Sequence, residues 1–318
     1  MATIERERAK TLGDAASEIE MGSFAPSNTD VSEFRTLVVA SYNIRYCVGS
    51  HLISGSLCRR IGLKRPGRRP DLVSRHLEKA ATALSDGERL PPPMILALQE
   101  ADKETTRAGA HHIAHELARK LRMHYAYAAS ETPPGAEPKE NEWYLDFEEH
   151  ISATENGKTG VAILSRLPFA MVERVELPFA ECAWRPRLAL AATFQIAGRD
   201  VHLFNSHIDP HADTAGQLEQ HEAVLARARE LAGPVILLGD FNTLSKRSCL
   251  VVREFLESRG FHTPFPTGTA TWRSGPIRLH TDWVFVRGAS VKRFGVARRL
   301  SVSDHWPVWA EIDLNDQT

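Results

Sequence analysis

Runs of near-uniform aliphatic residues that stop abruptly at polar ones recur along the chain. Leu37-Val-Val-Ala-Ser-Tyr-Asn43 ends on Asn43, Met94-Ile-Leu-Ala-Leu-Gln-Glu100 on Gln99 and Glu100, and Gly233-Pro-Val-Ile-Leu-Leu-Gly-Asp-Phe-Asn242 on Asp240 and Asn242. A strand with one wet face alternates apolar and polar residues, whereas a strand covered on both faces is apolar throughout. The pattern therefore predicts buried strands that deliver polar groups to their carboxyl ends. Asp240 and Asn242, two positions apart, would share a side of such a strand. Each alone also reads as a turn former, because both residue types hydrogen-bond their own backbone.

The same reasoning predicts strands over residues 160–164, 188–196, 200–205, 281–286 and 306–312. Asp71 can cap a helix running to about Leu84, with Leu72, Val73, Leu77 and Ala80 or Ala81 facing inward. Helical spacing returns over 105–122 and 218–231. Strands outnumber helices, and helices separate several of them. The expected fold is α/β, a four-layer sandwich of two packed mixed sheets with helices outside and many strand ends converging on one edge. Residues 1–35 mix charged and small residues without an apolar period and read as a mobile tail, leaving 36–318 as one catalytic domain.

Two long aperiodic stretches are expected on the rim of that edge. Residues 47–70 are strongly basic, with Arg59, Arg60, Lys64, Arg65, Arg68 and Arg69 among glycines and prolines. Residues 131–158 are rich in Pro, Gly and Glu, with Trp143, Tyr144 and Phe147 able to pack over a cleft. A charge run is often only a solvated surface, but a loop this long that leaves a polar strand end is placed to act.

Composition narrows the class. With 318 residues, 42% of them apolar, the chain can bury a large core,. No apolar run approaches the ~20 residues a membrane-crossing helix needs, and the charged N-terminus lacks a secretory signal, so a cytoplasmic protein is expected. The cysteines at 47, 58, 182 and 249 form no C-x-x-C pair and read as reduced thiols. A net charge of −1 gives no global attraction for a polyanion, so any nucleic-acid contact must be local,. His111 and His115 have zinc-protease spacing, but position 112 holds histidine where that motif needs its glutamate, so ordinary surface histidines are expected. His51, His211 and His221 read as surface residues or neighbours of a site.

The polar strand ends supply Asn43, Glu100, His207, Asp209, Asp240, Asn242, Asp282, Asp304 and His305. Carboxylates are rarely buried together unless a cation or histidines offset their charge. Glu100, Asp240 and Asp304 are hard oxygen donors with no thiolate among them, which suits Mg²⁺ or Mn²⁺. Such ions keep several waters where a substrate supplies phosphate oxygens, which points to phosphoester chemistry.

In order along the chain stand Ser41-Tyr-Asn43, Leu98-Gln-Glu100, Asn205-Ser-His207-Ile-Asp209, Gly239-Asp-Phe-Asn242, Thr281-Asp282-Trp and Ser303-Asp-His305. Together they resemble the motifs of the endonuclease/exonuclease/phosphatase superfamily, which includes DNase I, apurinic-site endonucleases, neutral sphingomyelinases and inositol-phosphate phosphatases. The resemblance implies that Glu100 is the principal metal ligand, helped by Asn43 and Asp304. It implies that His305 contacts the scissile phosphate, with Asp282 fixing its tautomer. Asp240 would position or deprotonate the attacking water, Asn242 would hold that water and a phosphate oxygen, and His207 would donate to a non-bridging oxygen. Which of Asp240 and His305 takes the proton stays open at this point. Arg187 occupies a strand position where the family often places an arginine near substrate; it also reads as a surface ion-pair partner. Thr159 stands roughly where some secreted nucleases carry a glutamate behind the first histidine, which leaves Asp209 as the candidate support for His207.

Three functions follow from this reading. A nuclease-like phosphodiesterase is favoured by the basic loop over 59–69, with Arg59, Arg60 and Lys64 binding the polyanion, although that loop offers no aromatic side chains for base stacking. Hydrolysis of a small-molecule or lipid-headgroup diester, sphingomyelinase-like or related to glycolipid anchors, would use the same arginines on an anionic head. A non-catalytic binding module is the third. Oligomeric state and metal count are not legible.

Overall fold

The computed structural model describes residues 19–26, 34–49, 69–131, 156–179, 187–298, 300 and 302–315. A seven-stranded sheet has the order β1 (Ile19–Ser23), β4 (His124–Ala129), β5 (Gly160–Ser165), β3 (Ile95–Gln99), β2 (Thr36–Asn43), β14 (Val308–Asp313) and β13 (Ser290–Val296). A five-stranded sheet has the order β12 (Asp282–Arg287), β9 (Val235–Asp240), β8 (Arg199–His207), β7 (Leu188–Ile196) and β6 (Met171–Glu176). A separate two-stranded ribbon joins β10 (Trp272–Ser274) to β11 (Ile277–Leu279).

Three apolar clusters bind these parts into four layers. Leu37 and Val39 of β2, Ile95 and Ala97 of β3, and Ile236 and Leu238 of β9 meet between the sheets. The alternate residues face outward in the same strands. Ala40, Tyr42, Leu96 and Leu98 pack under α1 (Arg69–Ser85) and α2 (Ile113–Leu121), and Val235 and Leu237 pack under α3 (Thr214–Arg229) and α4 (Lys246–Glu257). A strand of period two that is covered on both faces has no polar phase, which is why these strands read as unbroken aliphatic runs. The chain therefore has the predicted α/β sandwich.

Strand direction positions the site. β2 runs parallel to β3 with Asn43 opposite Gln99, and β8 runs parallel to β9 with His207 opposite Asp240. Four carboxyl ends thus lie side by side in two facing sheets. β12 is antiparallel to β9 and starts with Asp282 opposite Asp240, while β14 is antiparallel to β2, so the segment 304–305 just before it comes down near Asn43. The close approach of β8 and β9 requires Gly239, whose φ is +144° and where an added Cβ would lie 1.9 Å from the Ser206 carbonyl oxygen. Beyond the strands the chain turns sharply through left-handed residues, Glu100 at φ 51° and Asn242 at φ 50°.

Several expectations need correction. The expected tail to residue 35 is a strand over Ile19–Ser23, paired antiparallel with β4. What holds it is polar: Glu20 accepts from Lys103 Nζ at 2.6 Å and Tyr125 Oη at 2.9 Å and lies 2.9 Å from His112 Nε2. Burial opposes ionisation of Glu20, yet these partners outweigh it and lower its pKa to about 2. The helix expected over 105–122 begins only at Ile113, where His112 accepts from the His115 N–H as its cap; the residues before it form turns. His111 pairs with Glu116 at 2.6 Å, so all three histidines serve the ends of α2 and the β1 contact. Asp71 sits in the first turn of α1 and does not cap it, since that helix begins at Arg69. His221 is buried beneath Phe241, with ring centroids 4.6 Å apart, and is not at the surface. Strands β1, β4, β6, β13 and the ribbon, and helix α4, were not legible in the periodicity. Among the described residues, no helix is long and apolar enough to cross a membrane, and the cysteines present, Cys47 and Cys249, are free and buried.

Candidate active site

Asp240, at the end of β9, is the centre of the cluster and is almost fully buried. Its Oδ2 accepts from Asn43 Nδ2 across the inter-sheet gap at 2.9 Å, and its Oδ1 accepts from the Asn242 N–H at 3.0 Å. The Nε2 atoms of two histidines approach the same Oδ2, His207 at 3.7 Å and His305 at 3.8 Å. His207 Nε2 also stands 4.0 Å from Glu100 Oε1. The strand ends therefore bring Glu100, His207, Asp240 and His305 into one chain of neighbours, with Asn43 fastened to its middle.

His305 is held from behind. Its Nδ1 donates to both oxygens of Asp282, at 3.1 and 3.0 Å, and Asp282 also accepts from Thr281 Oγ1 at 2.8 Å. That arrangement fixes the tautomer and turns Nε2 toward Asp240. Burial disfavours the imidazolium, but the charges of Asp282 and Asp240 together with the Asp282 hydrogen bond outweigh it and raise the His305 pKa. Burial likewise raises the pKa of Asp240; the His305 charge pulls it back, and the neighbouring Asp282 adds to the rise. The buried carboxylates are thus short of positive charge.

Asn242 turns its side chain away from the cluster, donating to the Ile208 carbonyl at 2.8 Å, so its backbone N–H is the group that meets Asp240. Asp304 is engaged by Arg45 Nη1 at 3.1 Å and by the Trp272 indole N–H at 3.1 Å. Arg187 is buried, and its Nη1 lies 3.2 Å from His207 Nδ1; it is not the surface ion-pair partner the sequence also allowed. The Asp209 Oδ1 accepts from the His211 N–H at 2.8 Å, while Thr159 is half-exposed and gives its carbonyl to the Ser130 N–H at 2.8 Å. Arg59, Arg60 and Lys64, with nearly all of the basic loop and the rim segment 132–155, lie outside the described residues.

Three groups escaped the sequence reading. Arg45, two residues past Asn43, neutralises Asp304, and its buried position could have been suspected from the strand end that precedes it. Trp272 reaches the same carboxylate from the ribbon, with no periodic signal to announce it. Gln99 and Asn205 clamp the two sheets together: Gln99 Nε2 donates to Asn205 Oδ1 at 2.6 Å, and Asn205 Nδ2 donates to the Leu98 and Ala162 carbonyls at 2.9 Å each.

Donor atoms of Asp240, Asp282 and His305 all lie within 4.8 Å of one another and form a group that could hold a metal ion. Asp282 is already committed to His305 and Thr281. The free hard oxygens are those of Glu100 and the second oxygens of the neighbouring groups. Crowded buried carboxylates and the upward pull on Asp240 fit a divalent cation with oxygen preference.

Comparison with known proteins agrees with this geometry. A "UPF0294 protein" of Vibrio campbellii is 29% identical over 147 residues, 42% of this chain, and the match spans only 47% of that protein's length. Three solved structures share the fold. An endonuclease/exonuclease/phosphatase from Beutenbergia cavernae has a TM-score of 0.59 at 16% identity, covering 88% of this chain and 72% of the other. A mannosyl-6-phosphatase of Bacteroides thetaiotaomicron has 0.57 at 19% identity, covering 87% and 99%. TDP2 of D. rerio with a single-strand DNA product has 0.55 at 16% identity, covering 88% and 99%. The family model for the Endonuclease/Exonuclease/phosphatase family matches residues 40–305, from the strand that ends at Asn43 through His305 itself, and the chain belongs to that family.

Proposed function

We propose that this chain is a divalent-metal-dependent phosphodiester hydrolase that works by in-line attack of water, with a nuclease-like substrate preference. The observation that carries the reading is the single buried carboxylate oxygen of Asp240 standing between His207 and His305, the latter locked to Asp282. In-line displacement needs a held water, a proton acceptor, and positive charge opposite it for the developing anion.

The roles divide by environment. His305, raised in pKa by two carboxylates, is an imidazolium at neutral pH and serves as a donor to a phosphate oxygen. That leaves Asp240 to accept the proton of the water, its basicity increased by burial and its direction fixed by Asn43 and the Asn242 N–H. His207 receives a hydrogen bond from Arg187 on one ring nitrogen, which leaves the other to donate to a non-bridging oxygen. Glu100, with Asn43 and Asp304, would hold Mg²⁺ or Mn²⁺. When bound, that ion supplies Lewis-acid stabilisation of the phosphate charge. The side chain of Asn242 does not hold the water in this arrangement; its backbone does the orienting.

The fold neighbours bear names pointing to a sugar phosphate and to a DNA strand, so the substrate must be read from the assay. Purified protein should hydrolyse bis-p-nitrophenyl phosphate with Mg²⁺ or Mn²⁺, lose that activity to a chelator, and lose orders of magnitude in Asp240→Asn and in His305→Ala. Activity that survives both substitutions would reject the roles. A panel of plasmid DNA, RNA, phospholipid headgroup esters and a sugar monophosphate separates the nuclease reading from lipid and monoester hydrolysis.

A further inference from the structure

Beside the acidic centre stands the ribbon of β10 and β11, which the proposed reaction does not use. It is tied to the site by its backbone. The Arg273 N–H donates to the Asp304 carbonyl at 3.0 Å, the Trp306 N–H donates to the Thr271 carbonyl at 2.7 Å, and Trp272 bridges His305. Trp272 turns its indole to the Asp304 carboxylate. Successive residues of a strand point to opposite faces, so Arg273 lies on the other face of the ribbon from Trp272.

On that face Arg273 is directly opposite Arg278 in the antiparallel register. Both guanidinium groups lie over the ring of Trp306, with Cζ 5.1 and 5.8 Å from its centroid. Like charges directly across a ladder repel, and neither arginine is ion-paired with a carboxylate among the described residues. Arg278 donates only to the Gly275 and Ile277 carbonyls of its own turn. A repelling cation pair, braced on an aromatic face and left without a counter-charge, is a receptor for an anion. Planar guanidinium groups suit phosphate because they can offer paired N–H donors.

We propose that Arg273 and Arg278 form a subsite for a phosphate other than the one that is cut, so that the preferred substrate carries at least two phosphates. The subsite is one ribbon thickness from Asp304, too far round for the scissile group itself and adjacent to it along a substrate that follows the ribbon. This rests on the phosphodiesterase reading for its place in catalysis, but the binding it describes can be measured apart from turnover. A second phosphate can come from a nucleic-acid strand or from a polyphosphorylated small molecule.

The test is equilibrium binding to the full chain in excess chelator, where no hydrolysis occurs, with a short single-stranded DNA oligonucleotide and with inositol hexakisphosphate as alternative probes. In Arg273→Gln/Arg278→Gln the affinity for at least one probe should fall about tenfold or more, and for DNA the log–log salt slope should flatten by roughly 1.4, about 0.7 per lost phosphate contact. Arg273→Lys/Arg278→Lys should recover most of the slope, which a misfolded ribbon would not do. A loss confined to DNA identifies a strand as the source, and a loss confined to the inositol probe identifies a small molecule. Unchanged affinity for both probes, in a variant whose melting temperature is intact, overturns the subsite. Failure of the chromogenic diester assay with these binding losses still present would count against the hydrolase reading alone.

Discussion

Asn43 and Asp240 come from different sheets, and the Asn43 amide donates to the Asp240 carboxylate at 2.9 Å across a sequence separation of 197 residues. The contact holds the proposed base in the one orientation that keeps its oxygen between two histidines. Removing the donor in Asn43→Ala should lower kcat by about 10- to 100-fold, since a hydrogen bond to a charged group is worth about 1.5–3 kcal/mol. Asn43→Asp should do worse, because a second carboxylate at that distance drives Asp240 toward its protonated form. Steady-state kinetics on a chromogenic diester decides this. Equal activity in Asn43→Asp and wild type would mean that Asp240 needs no such partner.

Asp282 and His305 act as one unit in the geometry, with Nδ1 shared between both carboxylate oxygens. Asp282→Asn keeps the shape but permits the wrong tautomer and removes a charge that holds the imidazolium. A loss of about 10²–10⁴ in kcat is expected, the range of a positioned proton donor. The double variant Asp282→Asn/His305→Ala should lose hardly more than His305→Ala alone, because groups that act together are not additive. Additive losses would place Asp282 in an independent role.

What was legible in the sequence follows from burial on both faces. β2, β3 and β9 have no solvent phase, so their aliphatic runs and polar ends were plain, and with them Asn43, Glu100 and Asp240. Strands β1, β6 and β13 each have exposed or half-buried positions throughout and are held by a neighbour more than by their own pattern. β1 depends on Glu20 meeting Lys103 and Tyr125, a long-range contact with no local signature. The site was less legible than the fold because its finer positions are set by turns. The Asn242 side chain was expected to face substrate, but a left-handed backbone at that residue aims its N–H at Asp240 and its amide at Ile208. Arg45 and Trp272 reach Asp304 from segments with no periodicity, so only the folded chain reveals them.

Gly239 immediately precedes the proposed base, and an added Cβ there would meet the Ser206 carbonyl oxygen at 1.9 Å with the backbone at φ +144°. The left-handed side of the map alone costs a non-glycine residue about 1–3 kcal/mol, and the clash adds to it because the obstacle is backbone in a paired strand. Gly239→Ala should therefore destabilise the fold by about 3 kcal/mol or more and depress activity together with it. Gly198, where nothing lies within 4 Å of an added Cβ but φ is +75°, is the comparison: Gly198→Ala should cost only the backbone strain. Thermal melts of the pair separate clash from conformation, and equal losses would show that the Ser206 contact relaxes freely.

Acid sensitivity should come from histidines that the fold buries uncharged. Burial lowers the pKa of His221 to about 3, and burial lowers that of His280 to about 4 despite the opposing charge of Asp282. Both are unprotonated when folded and titrate near 6.5 when unfolded. Below that value the unfolded chain binds more protons, so stability rises with pH up to about 6.5 and falls as acid is added, until the folded values are reached. Each histidine contributes a slope of about 1.4 kcal/mol per pH unit within that window. His221 stacks edge-on against Phe241, so His221→Phe keeps an aromatic ring there while removing the titration. The variant should lose less stability than wild type between about pH 6.5 and pH 4.5, by roughly 2–3 kcal/mol. Parallel stability–pH curves for the two proteins would show that His221 takes up no extra proton on unfolding, and the source of acid lability would then have to be sought at His280.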